Sequence, residues 1–128
     1  MSTGALLDTN VLIDYLRNIS SAADYLENAE GPLSISAISV AELRAGARDR
    51  KERLALKEFI SLFDVIPADA EICELAGDFR SQYGPSHGLD LIDGIIAATS
   101  HLRHLPLVTL NKRHFPMLSS VIVPYRRE

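Results

Sequence analysis

The stretch Ala5-Leu6-Leu7-Asp8-Thr9-Asn10-Val11-Leu12-Ile13-Asp14-Tyr15-Leu16 changes its hydrophobic period partway along. A short apolar run from Ala5 closes on the carboxylate of Asp8. After Thr9 and Asn10, apolar residues return at intervals of three and four, so the segment reads as strand, turn and helix. Strand propensity disfavours an aspartate at the end of an apolar run, and Asn10 stands ready to cap the helix, so Asp8 asks for a functional explanation.

The same alternation continues outward from this unit. Ser20 and Ser21 open a second helix that runs to Ala29 and is stopped by Gly31-Pro32, and Leu33 to Ser36 reads as a second strand. Ser39 opens the helix SVAELRAGA. Gly46 marks a break before an amphipathic helix from about Lys51 to Phe63, and Asp64 to Pro67 is a brief third strand. Asp69 caps a helix with Ile72, Leu75, Ala76, Phe79 and Tyr83 on one stripe, ending near Gly84-Pro85 in a loop that reaches Gly88. Leu91 to Leu105 is helical, Leu107 to Leu110 a buried strand, and Val121 to Val123 a last strand at an edge or end, where Pro124 does little harm. Strands alternating with helices imply an α/β fold: a central, mostly parallel sheet of about four to five strands with helices on both faces. Its site is expected at the carboxyl ends of the strands.

At 128 residues, 1–128 is expected to form a single domain. Hydrophobic residues make up 47 % and charged residues 23 %, which excludes disorder as the default. MSTGALLDTNVLI has no basic n-region, and Asp8 and Asn10 break its apolar stretch, so a cytoplasmic protein with no membrane association is expected. The lone Cys73 sits at helical spacing beside apolar positions and is read as a small buried hydrophobe. A net charge of −4 argues against gripping nucleic acid by bulk positive charge, although a cation bound among clustered carboxylates offsets part of it locally. Arg44, Arg48, Arg50, Lys51, Arg53 and Lys57 fall together, but Asp49, Glu52 and Glu58 interleave with them, so both a solvated helix face and a functional basic patch fit.

The acids carry most of the chemistry. Asp8 ends the first strand, Glu42 lies one turn into the helix after the second, and Asp93 lies in the first turn of the helix before the fourth. All three reach one edge of the sheet. Gathering carboxylates there costs Coulomb energy unless a proton or cation is shared, and a hard divalent ion with oxygen ligands is the natural remedy. Two of these acids also have a purely local reading. Ser39-Val40-Ala41-Glu42 matches the S-x-x-E capping box, and Asp90-x-x-Asp93 looks like a helix start with Asp90 as cap or as an extra acid lining the site. The chain has no G-x-S-x-G turn, no glycine-rich phosphate loop, and no zinc spacing for His87, His101, His104 and His114, which are assigned structural or surface roles. His114, with Lys112 and Arg113, is also placed to touch a phosphate group.

LLDTNVLIDYL, SISAISVAEL, HGLDLIDGIIAATS and VTLNKRHF, in that order along nearly the whole chain, resemble the four motif regions of PIN-domain proteins, especially the VapC-type toxins of toxin-antitoxin pairs. The resemblance implies a single PIN-like domain acting as a Mg²⁺- or Mn²⁺-dependent endoribonuclease, usually a homodimer, held in check by a cognate antitoxin. By the same resemblance the catalytic and metal-binding acids fall on Asp8, Glu42 and Asp93. The fourth position, often aspartate, is Asn111, which puts a second ion in doubt and leaves Asn111 to bond a water or substrate. Thr9 and Thr109 are placed to orient the carboxylates. Hydrolysis by a metal-activated water then needs no nucleophilic side chain. Two rival readings stand beside it: a catalytically inactive PIN-like domain that binds RNA or protein, and a phosphoaspartyl receiver or phosphatase, which lacks the paired acids such chemistry uses around the first strand.

Overall fold

The computed structural model describes residues 4–127. Along the chain run β1 (Ala5–Leu7), α1 (Thr9–Leu16), α2 (Ser20–Glu27), β2 (Leu33–Ser36), α3 (Ala37–Ala45), α4 (Arg50–Ile60), β3 (Asp64–Ile66), α5 (Ala70–His87), α6 (Leu91–Arg103), β4 (Leu107–Val108), a 3₁₀ turn (Lys112–His114) and β5 (Val121–Ile122). The strands form one five-stranded sheet in the order β3-β2-β1-β4-β5. Every neighbouring pair is parallel, with Leu6 level with both Ser34 and Leu107.

Parallel strands need crossover helices, and these cover both faces. Side chains alternate across β1 and β4, so Leu7 and Val108 join Val11, Leu12, Ile35, Leu43, Leu56 and Phe59 in one core, while Leu6 and Leu107 join Leu89, Ile96, Ala97 and Phe115 in the other. Among the described residues no helix is long and apolar enough to cross a membrane.

Several element boundaries differ from the sequence reading. α3 starts at Ala37, because Ser36 takes the N-cap and its Oγ accepts from the Ile38 amide at 3.1 Å. Ser39 therefore lies inside the helix and caps nothing. A related arrangement occurs at α4, where the N-cap Asp49 Oδ1 accepts from the Glu52 amide and Glu52 Oε2 reaches back to the amide of Arg48, the residue before the cap. α1 begins at Thr9, so Asp8 and not Asn10 occupies its N-cap. α2 has Ile19 at its N-cap with no capping side chain, and it stops at Glu27, short of Ala29. β4 is only the pair Leu107–Val108, because the chain turns after Thr109. α5 continues through Gly84-Pro85 to His87. Proline forfeits one backbone donor there, and Gly88 closes the helix at φ 68°, its amide donating to the Gly84 carbonyl. Cys73 is exposed, in contrast to its buried reading, because Ile72 and Ala76 take the inner face of α5.

α5 and α6 approach closely at Gly94, where an added Cβ would stand 2.8 Å from the Ala76 carbonyl oxygen. Backbone cannot yield as a side-chain tip can. Gly94→Ala is therefore expected to lose about 1–2 kcal/mol of stability despite the better helix propensity of alanine, read as a lower urea midpoint at unchanged m-value.

Candidate active site

The sheet places its chemistry where β1, β2 and β4 end. Asp8 leaves β1 buried at 4 % exposure, and its two carboxylate oxygens are separately engaged. Oδ1 accepts from the Thr9 amide at 2.8 Å, and Oδ2 from Thr109 Oγ1 at 2.7 Å. Thr109 Oγ1 in turn accepts from the Asn111 amide at 3.0 Å and from Asn10 Nδ2 at 3.5 Å. With its one proton committed to Asp8 and both lone pairs used, Thr109 is a fixed support for that carboxylate.

Glu42 comes from the second turn of α3. Its Oε1 accepts from Thr9 Oγ1 at 2.6 Å, a link to α1 that replaces the capping role open to it on sequence grounds. Asp90 caps α6 by accepting from the Asp93 amide at 2.7 Å and is exposed. Asp93 is half-buried, with His114 Nδ1 lying 3.4 Å from its Oδ2.

The electrostatics follow from this crowding. Burial pushes the Asp8 carboxyl above its ordinary value against the pull of Thr109 and Thr9, and the charges of Glu42 and Asp90 push the same way. Asp93 is raised to about 6, first by burial and then by the charges of Asp90 and Asp8, with His114 drawing it back. These carboxylates feel one another and carry more negative charge than their surroundings compensate.

Among the described residues no three His, Cys, Asp or Glu side chains close into a ready-made coordination set. The donors nonetheless fit a hard divalent cation: they are all carboxylate oxygens, and Asp8 and Asp93 are destabilised as anions by burial and by the charges of neighbouring acids. The buried carboxamide oxygen of Asn10 has no hydrogen-bond partner among the described residues, which makes it a further polar group seeking one.

The sequence-predicted residues thus divide. Asp8, Thr9, Glu42 and Thr109 are linked by hydrogen bonds, and Asp90 and Asp93 sit within electrostatic reach. Asn111 contributes its backbone amide, while its side chain is exposed and makes no hydrogen bond among the described residues. On sequence grounds Ser39 reads as a cap, Asn10 as part of the α1 terminus and His114 as a structural or surface residue or a phosphate contact; the fold sets Ser39 against Thr9, Asn10 against Thr109 and His114 against Asp93. In the basic stretch, Arg44, Arg48, Arg50, Lys51, Arg53 and Lys57 are all exposed, and Arg48 is tied to Glu52.

The family model of the PIN domain matches residues 5–118. The chain is similar to the protein named ribonuclease VapC10 of Mycobacterium tuberculosis, at 42 % identity over 94 % of this chain and 92 % of that one. It is also similar to ribonuclease VapC19 of the same organism, at 34 % over 94 % and 98 %. Among solved structures, a toxin-antitoxin complex from Klebsiella pneumoniae contains a chain of the same fold, with TM-score 0.83, 32 % identity, and coverage of 96 % of this chain and 99 % of that one.

Proposed function

The chain belongs to the PIN domain family, and on that premise we propose that it is a divalent-metal-dependent endoribonuclease, the toxin of a toxin-antitoxin pair, with RNA as substrate and a cognate antitoxin as partner. The observation that carries this reading is the acidic cluster at the carboxyl ends of the parallel strands, where burial and then the charges of neighbouring acids hold Asp8 and Asp93 above their ordinary values.

Asp8, Asp93 and Glu42 are the residues that would hold Mg²⁺ or Mn²⁺. Bound there, such an ion supplies Lewis acidity, a water of lowered pKa and positive charge against the phosphodiester. The protein's own share is orientation. Thr109 and the Thr9 amide hold the Asp8 carboxylate, Thr9 Oγ1 holds Glu42, and the start of α6 holds Asp93. The reaction adds water to phosphorus, breaks one P–O ester bond and leaves a proton on the departing oxygen, with no covalent protein intermediate. Lys112, Arg113 and His114 form the 3₁₀ turn after β4 and are placed to meet the RNA backbone.

Protein freed of its antitoxin is expected to cut single-stranded RNA with Mg²⁺ or Mn²⁺ and to stop in EDTA. Undiminished cleavage in EDTA would overturn the metal assignment. Protein that binds Mn²⁺ and RNA but cuts nothing would favour a binding domain instead. Glu42→Gln tests the role of that side chain directly. Because Ser36 caps α3, the variant should fold normally by circular dichroism while losing at least about tenfold in cleavage, the scale of a lost metal-site interaction.

A further inference from the structure

Ser39 is fully buried in α3, and Thr9 beside it in α1 is 5 % exposed. Thr9 Oγ1 lies 2.8 Å from Ser39 Oγ and 2.6 Å from Glu42 Oε1. A hydroxyl has one proton, and an ionised carboxylate only accepts, so the proton of Thr9 goes to Glu42. The contact with Ser39 must then run the other way, and the chain has a single direction, from Ser39 to Thr9 to Glu42.

Hydroxyls inside helices usually turn back onto their own backbone, as Thr99 does by donating to the Ile95 carbonyl at 2.7 Å. Ser39 donates across to α1 instead. It stands three residues before Glu42 on the same helical face, so the two side chains of α3 hold the Thr9 hydroxyl from both sides. Satisfying a buried hydroxyl does not account for the presence of this one, because alanine at the same place would need no partner. Aligned in series, the two bonds polarise each other and pin the carboxylate more firmly than Thr9 alone.

We propose that Ser39 is a positioning residue, which commits the Thr9 proton to Glu42 and thereby holds that carboxylate ready for a divalent cation. The inference rests on the metal-dependent reading above. It is tested by Mn²⁺ titration calorimetry without RNA, beside cleavage assays and urea unfolding in EDTA, on the full chain. Ser39→Ala and Thr9→Val are each expected to weaken Mn²⁺ binding about tenfold, the lower end for an outer-sphere partner of a metal ligand. The double variant should be no weaker than the weaker single one, since both changes break the same relay. Ser39→Cys, which keeps the shape and a feeble donor, should fall between wild type and Ser39→Ala, and it serves as the probe if Ser39→Ala does not fold.

A purely structural serine would lower the urea midpoint and leave Mn²⁺ affinity untouched. That result, or additive losses in the double variant, overturns the proposal while wild-type binding and cleavage leave the functional reading standing. Wild-type protein that neither binds Mn²⁺ nor cuts RNA overturns both.

Discussion

Asp93→Asn is expected to abolish cleavage, by more than about 100-fold, while making the metal-free protein more stable. The two effects have one origin. Asp93 is held half-buried with its carboxyl raised to about 6 by burial and by the neighbouring charges of Asp90 and Asp8, so its ionised form opposes folding at neutral pH. Asparagine has nearly the same shape and removes that opposition, for a gain of about 1 kcal/mol or roughly 4 °C in EDTA. The catalytic loss exceeds the 10- to 100-fold typical of outer-sphere changes, because a charged donor itself is removed. Thermal scans with and without Mn²⁺ separate the contributions. Metal should raise the wild-type melting temperature by mass action and leave the variant nearly unmoved. A variant that keeps the full metal-induced rise would show that Asp93 is not a ligand.

Asp14→Ala should give the largest loss of stability. Asp14 projects from α1 and is buried, and it accepts from Tyr125 Oη at 2.9 Å, Arg127 Nε at 3.1 Å and Arg127 Nη2 at 2.8 Å. Burial alone would raise its carboxyl, but the Arg127 guanidinium and the Tyr125 hydroxyl outweigh it and hold the group below the usual aspartate range. Removing the carboxylate frees the segment after β5 from α1, and a loss of about 2 kcal/mol is expected from bonds to a charged acceptor. A depressed folded pKa stabilises above the unfolded value of about 3.9, and the contribution disappears as pH falls through the folded value. The gap between wild type and Asp14→Ala should therefore be full at pH 7 and close as pH falls below the ordinary aspartate range, measured by urea unfolding. A gap independent of pH would mean that packing, not the ion pair, carries the effect.

The sequence was most informative where structure is local. The change of period after Asp8 located β1 and α1, the alternation of periods gave the parallel sheet with helices on both faces, and the positions of Asp8, Glu42 and Asp93 relative to strand ends brought the acids to one edge. What stayed illegible depends on pairs distant in sequence. Ser39-x-x-Glu42 has the form of a capping box, yet Ser36 lies closer to the strand end and captures the first free amide, which leaves Ser39 and Glu42 to meet Thr9 thirty or more positions away. Nothing local to α1 marks Asp14 as an anchor, because its partners Tyr125 and Arg127 come after β5. Pro85 and Gly84 signalled a stop, but a proline in a final turn forfeits one donor only, and α5 could pass through to Gly88.

The strand order also has a temporal consequence. β1, made first, ends up at the centre of the sheet between β2 and β4, and the Thr109 hydroxyl that steadies Asp8 is added 101 residues after it. During synthesis the chain carries Asp8 and then Glu42 with neither the β4 edge nor α6 beside them. The acids therefore gather only once α6 and β4 have followed them out. A fragment carrying only β1 to α4 would hold Asp8 and Glu42 yet lack both α6 and the Thr109 support, so the site is a property of the finished sheet and not of any one stretch of it.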